Sequence, residues 1–407
     1  MNRGRSRETV VRLLLFLVFA ALFLGVGFAF LDTRVYDTEA DVFNADVRRV
    51  VHDLARGAGR HYRTKVHPLF VLFLNPAGVL LKEVVGRPRP TALLLNAAAA
   101  AAGVVLFREL LVRLRVGRGR STLWSVAFGL SASQLFFGSF PETFAFSGAS
   151  LLLLFVAFAA PRPSGARCLG AALVSFGVTT TNLVAGVLLA WARRPEGESR
   201  SRALVRVGGF AAVVVALAAG LSLVQKRVAP SAELFFLPAS FSEETSYVVI
   251  PRDVASAFRR AGDLAESVLF SNLAAPGVTV VQAGEQPPKV RFGARRLAGW
   301  PHTAIWVALL AVAGYGLSAW PRPAGPVLKS LLLWIAFNAA LHSVYGEPFF
   351  LYSCHWTFAV LAVAAVGVEA GCPAWARPAV PALLAAMAGL QAWTNGSFLV
   401  ELHAVYR

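Results

Sequence analysis

Apolar residues in this chain come in long unbroken blocks, not in the alternation of a half-buried strand or the stripe of a soluble surface helix. Residues 11–31, 91–107, 203–224 and 327–341 approach or exceed the roughly 20 residues a helix needs to cross a ~30 Å hydrocarbon layer. A helix is the expected form, because a segment in lipid has to satisfy its own backbone. The pattern predicts an all-α protein, a polytopic transmembrane helical bundle of about eleven spans.

Short basic clusters between the blocks orient them. Arg3, Arg5 and Arg7 place the N-terminus in the cytoplasm, so residues 32–66 form a first outer loop. The next cluster, Arg108, Arg113, Arg115, Arg118 and Arg120, returns to the cytoplasm through the span at 91–107. That leaves 67–85 as a juxtamembrane helix lying in the outer interface, interrupted at Asn75-Pro76. Lys82, Arg87 and Arg89 then lie outside, against the charge bias. Spans at 123–140 and 144–160 follow, and 169–192, basic at both ends, reads as two short helices meeting at Thr179-Thr180-Thr181-Asn182. Three parts result: a transmembrane module over 1–224, an extracytoplasmic loop over 225–300 with some helix in 254–270, and C-terminal transmembrane helices over 301–407. The last of these runs over 380–392.

Composition agrees with the pattern. Of 407 residues 57% are hydrophobic and 15% charged, with a mean hydropathy of +0.60, too apolar for a water-facing surface. The net charge of +17 would suit nucleic acid if it formed one face, but its cations sit between apolar blocks, so no nucleic-acid partner is expected. Cys168, Cys354 and Cys372 are dispersed without metal-ligand spacing and read as buried thiols. The N-terminal apolar run is too long for a signal peptide, and its small-x-small match, Gly25-Val26-Gly27, lies inside the run. The chain is therefore expected as a multi-pass protein of the inner (plasma) membrane, and its Ala-, Arg- and Gly-rich usage suggests a GC-rich bacterium.

Polar chemistry concentrates in the first outer loop. Asp37, Glu39, Asp41 and Asp46 follow the first span, ahead of an amphipathic stretch from Val47 to Leu54, then Arg63, Lys65 and His67. Such a set suits group transfer at a membrane surface: a carboxylate deprotonates an acceptor hydroxyl, and a cation holds a phosphate leaving group. A solvated loop with surface ion pairs is the plainer alternative. Glu142 sits alone in a turn between two spans, as a second acid or as a helix cap. Tyr352 and His355 belong to a donor-rich, aromatic stretch that also suits an interfacial anchor.

The order of these features resembles the GT-C superfamily of integral membrane glycosyltransferases, best over residues 8–195. The likeness lies in a first helix, an acid-bearing outer loop, a His67-Pro68-Leu69-Phe70 approach to a juxtamembrane helix, a helix ending in arginines, a helix pair turning at Glu142, and a short-helix hairpin. The resemblance implies a sugar donor carried on a polyprenyl phosphate and inverting transfer to a lipid or glycan acceptor at the outer face of the cell envelope. One first-loop acid is then the general base, Asp46 first, with Asp41 and Asp37 behind it. Glu39, Glu142, Arg63, Lys65, His67, Tyr352 and His355 become substrate-binding candidates. No metal ligand is assigned, though some members of the superfamily use a divalent metal. A transporter or flippase of a lipid-linked or anionic substrate is the alternative, and a non-catalytic scaffold gives no reason for the acidic loop.

Overall fold

The computed structural model describes residues 2–37, 42–57, 61–238, 243–275, 277–282, 289–293, 300–318 and 325–407. Fifteen helices follow one another in these segments: α1 (Asn2–Phe30), α2 (Val47–Ala55), α3 (Phe70–Val85), α4 (Pro88–Arg113), α5 (Arg118–Gly129), α6 (Ala132–Ser139), α7 (Thr143–Phe158), α8 (Gly165–Val178), α9 (Leu183–Ala192), α10 (Arg200–Val228), α11 (Val254–Glu266), α12 (Trp300–Ser318), α13 (Pro326–His342), α14 (Thr357–Gly371) and α15 (Ala379–Tyr406).

Four of them, within α1, α4, α10 and α12, are long and apolar enough to cross a membrane. The number rises to six if two bent pairs, α6 with α7 and the 3-10 turn Phe349–His355 with α14, each make one span. The expected eleven is thus not reached on length and apolarity, because α8, the 180–192 segment and α13 are apolar helices of only 10–17 residues. Lipid is nevertheless the solvent this surface fits. On α1, Leu13, Leu14 and Leu17 are more than half exposed, and on α10 Leu204 and Val205 reach 62% and 77%. Apolar patches of that extent are rare on water-facing proteins.

Several spans differ from their expected outlines. The 123–140 block breaks at Leu130-Ser131 into α5 and α6, where the Ser131 side chain accepts from the Gln134 amide and caps α6. Helix α15 runs 28 residues, well past 392. Asn75-Pro76 does not interrupt α3, which carries Pro76 inside it, and the Asn75 side chain donates to the carbonyls of Asp53 and Arg56, closing the end of α2. The 225–300 region holds α11, a π turn over Ser267–Ser271 and an unexpected antiparallel hairpin, β1 (Gly277–Gln282) with β2 (Lys289–Gly293). The hairpin at 169–192 forms as expected, with a 3-10 turn at Thr180–Asn182 between α8 and α9.

Helix α4 is the axis of the N-terminal half. Its alanine run lets neighbours approach closely, with Ala97, Ala100 and Ala101 fully buried against α1, α6 and α7. Farther along the chain, α12 crosses α14 on glycines: a Cβ on Gly316 would sit 2.1 Å from the Gly367 carbonyl oxygen.

The two ends of this bundle are chemically distinct. At one, Arg12 bonds Glu109 at 2.7 Å and Arg108 meets Glu8 at 2.9 Å, tying the start of α1 to the end of α4. At the other, Arg89 donates to the Leu31 carbonyl at 3.2 Å, joining the end of α1 to the start of α4. The first loop therefore lies at the end of the bundle opposite the cluster Arg108 to Arg120.

Candidate active site

At the first-loop end, a cavity of about 430 Å³ opens between α2, the turn before α7, the apex of the α8–α9 hairpin and the 338–355 segment. Asp46, Arg63, His67, Glu142, Tyr352 and His355, far apart in sequence, all line it.

Helix α2 carries the central carboxylate. Val47, Val50, Val51 and Leu54 bury one stripe of it, while Asp46 precedes its first turn. Before Asp46 the chain makes a sharp turn with Phe43 and Asn44 at φ 55° and 57°. Phe43, a bulky residue in that sparsely populated region, is held by Phe350 and Phe136 at ring distances of 4.3 and 5.1 Å. The Asn44 side chain donates to the Glu347 carbonyl at 2.8 Å.

Arg49 is the hub beneath Asp46. Its side chain, 5% exposed, donates from Nε to Asp46 Oδ2 at 3.0 Å and from Nη1 to Asp53 Oδ2 at 2.9 Å, with Glu142 Oε1 3.7 Å from Nη2. Asp53 in turn holds His61 Nδ1 at 2.8 Å. Glu142 is committed on every side: Oε2 accepts the Asp46 amide at 2.6 Å, and Oε1 accepts the Thr143 amide at 2.8 Å and the Thr143 hydroxyl at 2.9 Å. It therefore caps α7 and locks that helix to the first loop.

Asp46 differs. Its side chain is 36% exposed, Oδ2 is held by Arg49, and Oδ1 accepts no hydrogen bond among the described residues. An oriented carboxylate with one oxygen open to a cavity is the geometry of a general base. Glu347, 60% exposed at the rim and paired through Oε1 with Arg260, is the other lining acid with an uncommitted oxygen.

The opposite wall supplies neutral hydrogen-bonding groups. His67 bonds through Nδ1 to the Val178 carbonyl at 2.7 Å, so Nδ1 carries the proton and Nε2 is left as an acceptor. Burial holds its imidazole well below the usual range, with Arg49 and Arg63 adding to the shift, so it is neutral at pH 7. The Leu69 amide bonds the Gly177 carbonyl at 2.7 Å and the Thr180 amide bonds the Val66 carbonyl at 3.1 Å, which clamps this loop to the α8–α9 apex. His355 Nε2 meets Ser147 Oγ at 2.8 Å, and Tyr352 stacks on His342 at 4.2 Å. Tyr345 donates to Glu244 at 2.6 Å, and burial together with that carboxylate pushes its phenol up, so it stays a donor.

The expected phosphate-binding cations are differently placed. Arg63 reaches the cavity but donates to Glu244 Oε1 at 2.9 Å. Lys65 does not line the cavity; it pairs with Glu243 and stands 3.8 Å from Glu233. Its ammonium holds the Glu243 carboxyl below the usual range. Asp37 lies apart too, paired with Arg89 in a second groove. Glu39 and Asp41 fall outside the described residues.

Sequence reasoning missed two supports. Arg49 lay within the amphipathic stretch without a role, and Asn96 is the lone amide in the alanine run of α4. Asn96 donates to the carbonyls of Phe137, Gly138 and Phe140 at 2.8, 3.0 and 3.1 Å, and its oxygen accepts the Glu142 amide at 3.3 Å. A single polar residue in an apolar helix was the available signal.

Among the described residues no group of three His, Cys, Asp or Glu side chains is placed to hold a metal ion. Of the cavity acids, Glu142 and Glu244 have both oxygens hydrogen-bonded, while Asp46 and Glu347 each keep one oxygen open among the described residues. No family model, no curated protein and no solved structure matches this chain.

Proposed function

We propose that this protein is an integral membrane glycosyltransferase that moves a sugar from a polyprenyl-phosphate donor to a lipid or glycan acceptor of the cell envelope. The observation that carries the reading is Asp46: one oxygen fixed by buried Arg49, the other open to a cavity rich in histidine, tyrosine and asparagine. Such a lining suits a polyol, whose hydroxyls need many donors and acceptors, with the lining arginines paired to carboxylates.

In this scheme the acceptor hydroxyl gives its proton to Asp46 as its oxygen attacks the anomeric carbon. The bond from that carbon to the phosphate oxygen breaks, and the phosphate leaves with the electron pair, inverting the centre. No general acid is required, since the leaving phosphate is a stable anion. Arg63 is the cation nearest to this task, and the donor phosphate replaces Glu244 as its partner. His67, His355 and Tyr352 orient the sugar.

The topology that goes with the reading counts the short helices α8, α9 and α13 as crossings, with α5 and α6 together making one. The alternation then gives about eleven spans, with a cytoplasmic N-terminus and the cavity on the extracytoplasmic face of the plasma membrane.

The transporter alternative draws on the same cavity and its broken α8–α9 apex. Purified protein in proteoliposomes, supplied with polyprenyl-phosphate hexose or pentose, separates the two. Release of free polyprenyl phosphate with a new glycosidic product is expected. Movement of the substrate across the bilayer without bond cleavage would overturn the enzyme reading.

A further inference from the structure

Helix α2 has a second face, and it borders a different cavity. Arg48 and His52 stand one turn apart on α2, about 100° around the helix from Arg49 and Asp53 respectively, and Arg56 follows just past the end of the helix. With Arg87 and Arg89 they line a groove of about 620 Å³. Four guanidinium groups face two carboxylates there, Asp32 and Asp37, leaving a net charge of +2.

Arg89 is fixed in the wall: it pairs with Asp37, donates to the Leu31 carbonyl, and lies 5.6 Å from the Tyr36 ring centre. Arg48, Arg56 and Arg87 are exposed, and their guanidinium groups bond no partner among the described residues. The contrast with the Asp46 cavity is sharp, since Arg49 and Arg63 there are both neutralised by carboxylates.

Location narrows the ligand. Leu31 and Asp32 directly follow one candidate span, Ser6–Phe30, and Arg87 immediately precedes another, Pro88–Arg113. The groove therefore sits at the level where hydrocarbon gives way to headgroups. Cations retained on the expected outer side run against the usual charge bias of membrane proteins and call for a local reason. Planar guanidinium forks match phosphate oxygens in pairs, and their attraction to an anionic membrane surface adds to that match.

We infer that the groove between α2 and the ends of α1 and α4 is a phosphate-binding site, separate from the Asp46 cavity, whose ligand presents its phosphate at the membrane surface. The site binds whether or not the protein transfers sugar. A lipid headgroup and a soluble diphosphate share the required chemistry.

Full-length protein in detergent, titrated with short-chain phosphatidic acid and with the matching diacylglycerol, tests the assignment by native mass spectrometry. Phosphatidic acid should be retained at least tenfold better than diacylglycerol. The triple variant R48A/R56A/R87A should lose that preference, R48K/R56K/R87K should keep part of it, and R162A/R167A/R200A, which removes equal charge elsewhere, should keep all of it. Competition by inorganic pyrophosphate would support a soluble phosphate source, and its failure to compete would support a lipid-borne one. Retention unchanged in R48A/R56A/R87A, or lost equally in R162A/R167A/R200A, would overturn the site.

Discussion

Replacing Arg49 by methionine should destabilise the first loop more than any other single change of similar volume. The guanidinium is buried and serves three carboxylates, of which Asp53 and Glu142 are only 4% and 2% exposed. Methionine restores the volume but leaves those acids without a countercharge. Removing one partner of a buried ion pair costs about 3–5 kcal/mol, because the remaining charge stays desolvated. At roughly 2 °C per kcal/mol, that corresponds to a fall of about 6–10 °C in melting temperature. A thiol-reactive dye assay on protein in detergent reads it directly, since Cys168, Cys354 and Cys372 are free and buried. Adding Glu142→Gln to R49M should recover part of the loss, because one uncompensated acid is then neutral. A fall under 2 °C for R49M, or strict additivity in the double variant, would refute the hub role assigned to Arg49.

Other expectations follow from single contacts. The folded His67 imidazole resists protonation while the unfolded one takes a proton near pH 6.5, so its contribution is present above that pH and lost below it. H67N, which can still donate to the Val178 carbonyl, should flatten the decline in melting temperature between pH 6.5 and 5; equal slopes would contradict the assignment. Gly78 on α3 lies against the end of α2, and a Cβ there would stand 1.8 Å from the Leu54 carbonyl oxygen. G78A should therefore cost on the order of 1–3 kcal/mol and displace the helix that carries Asp46, lowering transfer as well as stability. G389A, with nothing within 4 Å, is the matched control and should leave both unchanged.

The hydrophobic blocks showed where α1, α4, α7, α10, α12 and α14 would lie, because a long apolar run is legible in composition alone, whether it faces lipid as in α1 and α10 or protein as in α7 and α14. Breaks were harder to see. The α5–α6 break depends on Ser131 capping α6, and a serine in an apolar run gives no sign that the helix stops there. The length of α15 was underestimated because its second half carries Asn395, Glu401 and His403, which lower the local hydropathy without ending the helix.

For the site, clustering of acids drew attention to the first loop, and the fold gathers six of the ten candidates around one cavity. What the sequence left hidden was pairing. Asp37 and Asp46 look alike in a string of letters, and each is held through one oxygen by an arginine, yet Asp37 lies in a separate groove and only Asp46 lines the cavity with His67 and His355. Lys65 and Arg63 looked like open cations, yet Glu233, Glu243 and Glu244, about 170 to 180 residues away, lie against them.

The most direct measurement is the single-turnover rate of sugar transfer for Asp46→Asn beside the wild type, in proteoliposomes with saturating polyprenyl-phosphate donor. Asparagine keeps the shape and the contact with Arg49 but cannot take a proton. The rate should fall by about 10²–10⁴-fold, the usual contribution of a general base, while donor binding and melting temperature change little. A variant within threefold of the wild-type rate would contradict the account, and loss of activity in Glu347→Gln instead would move the base to the cavity rim.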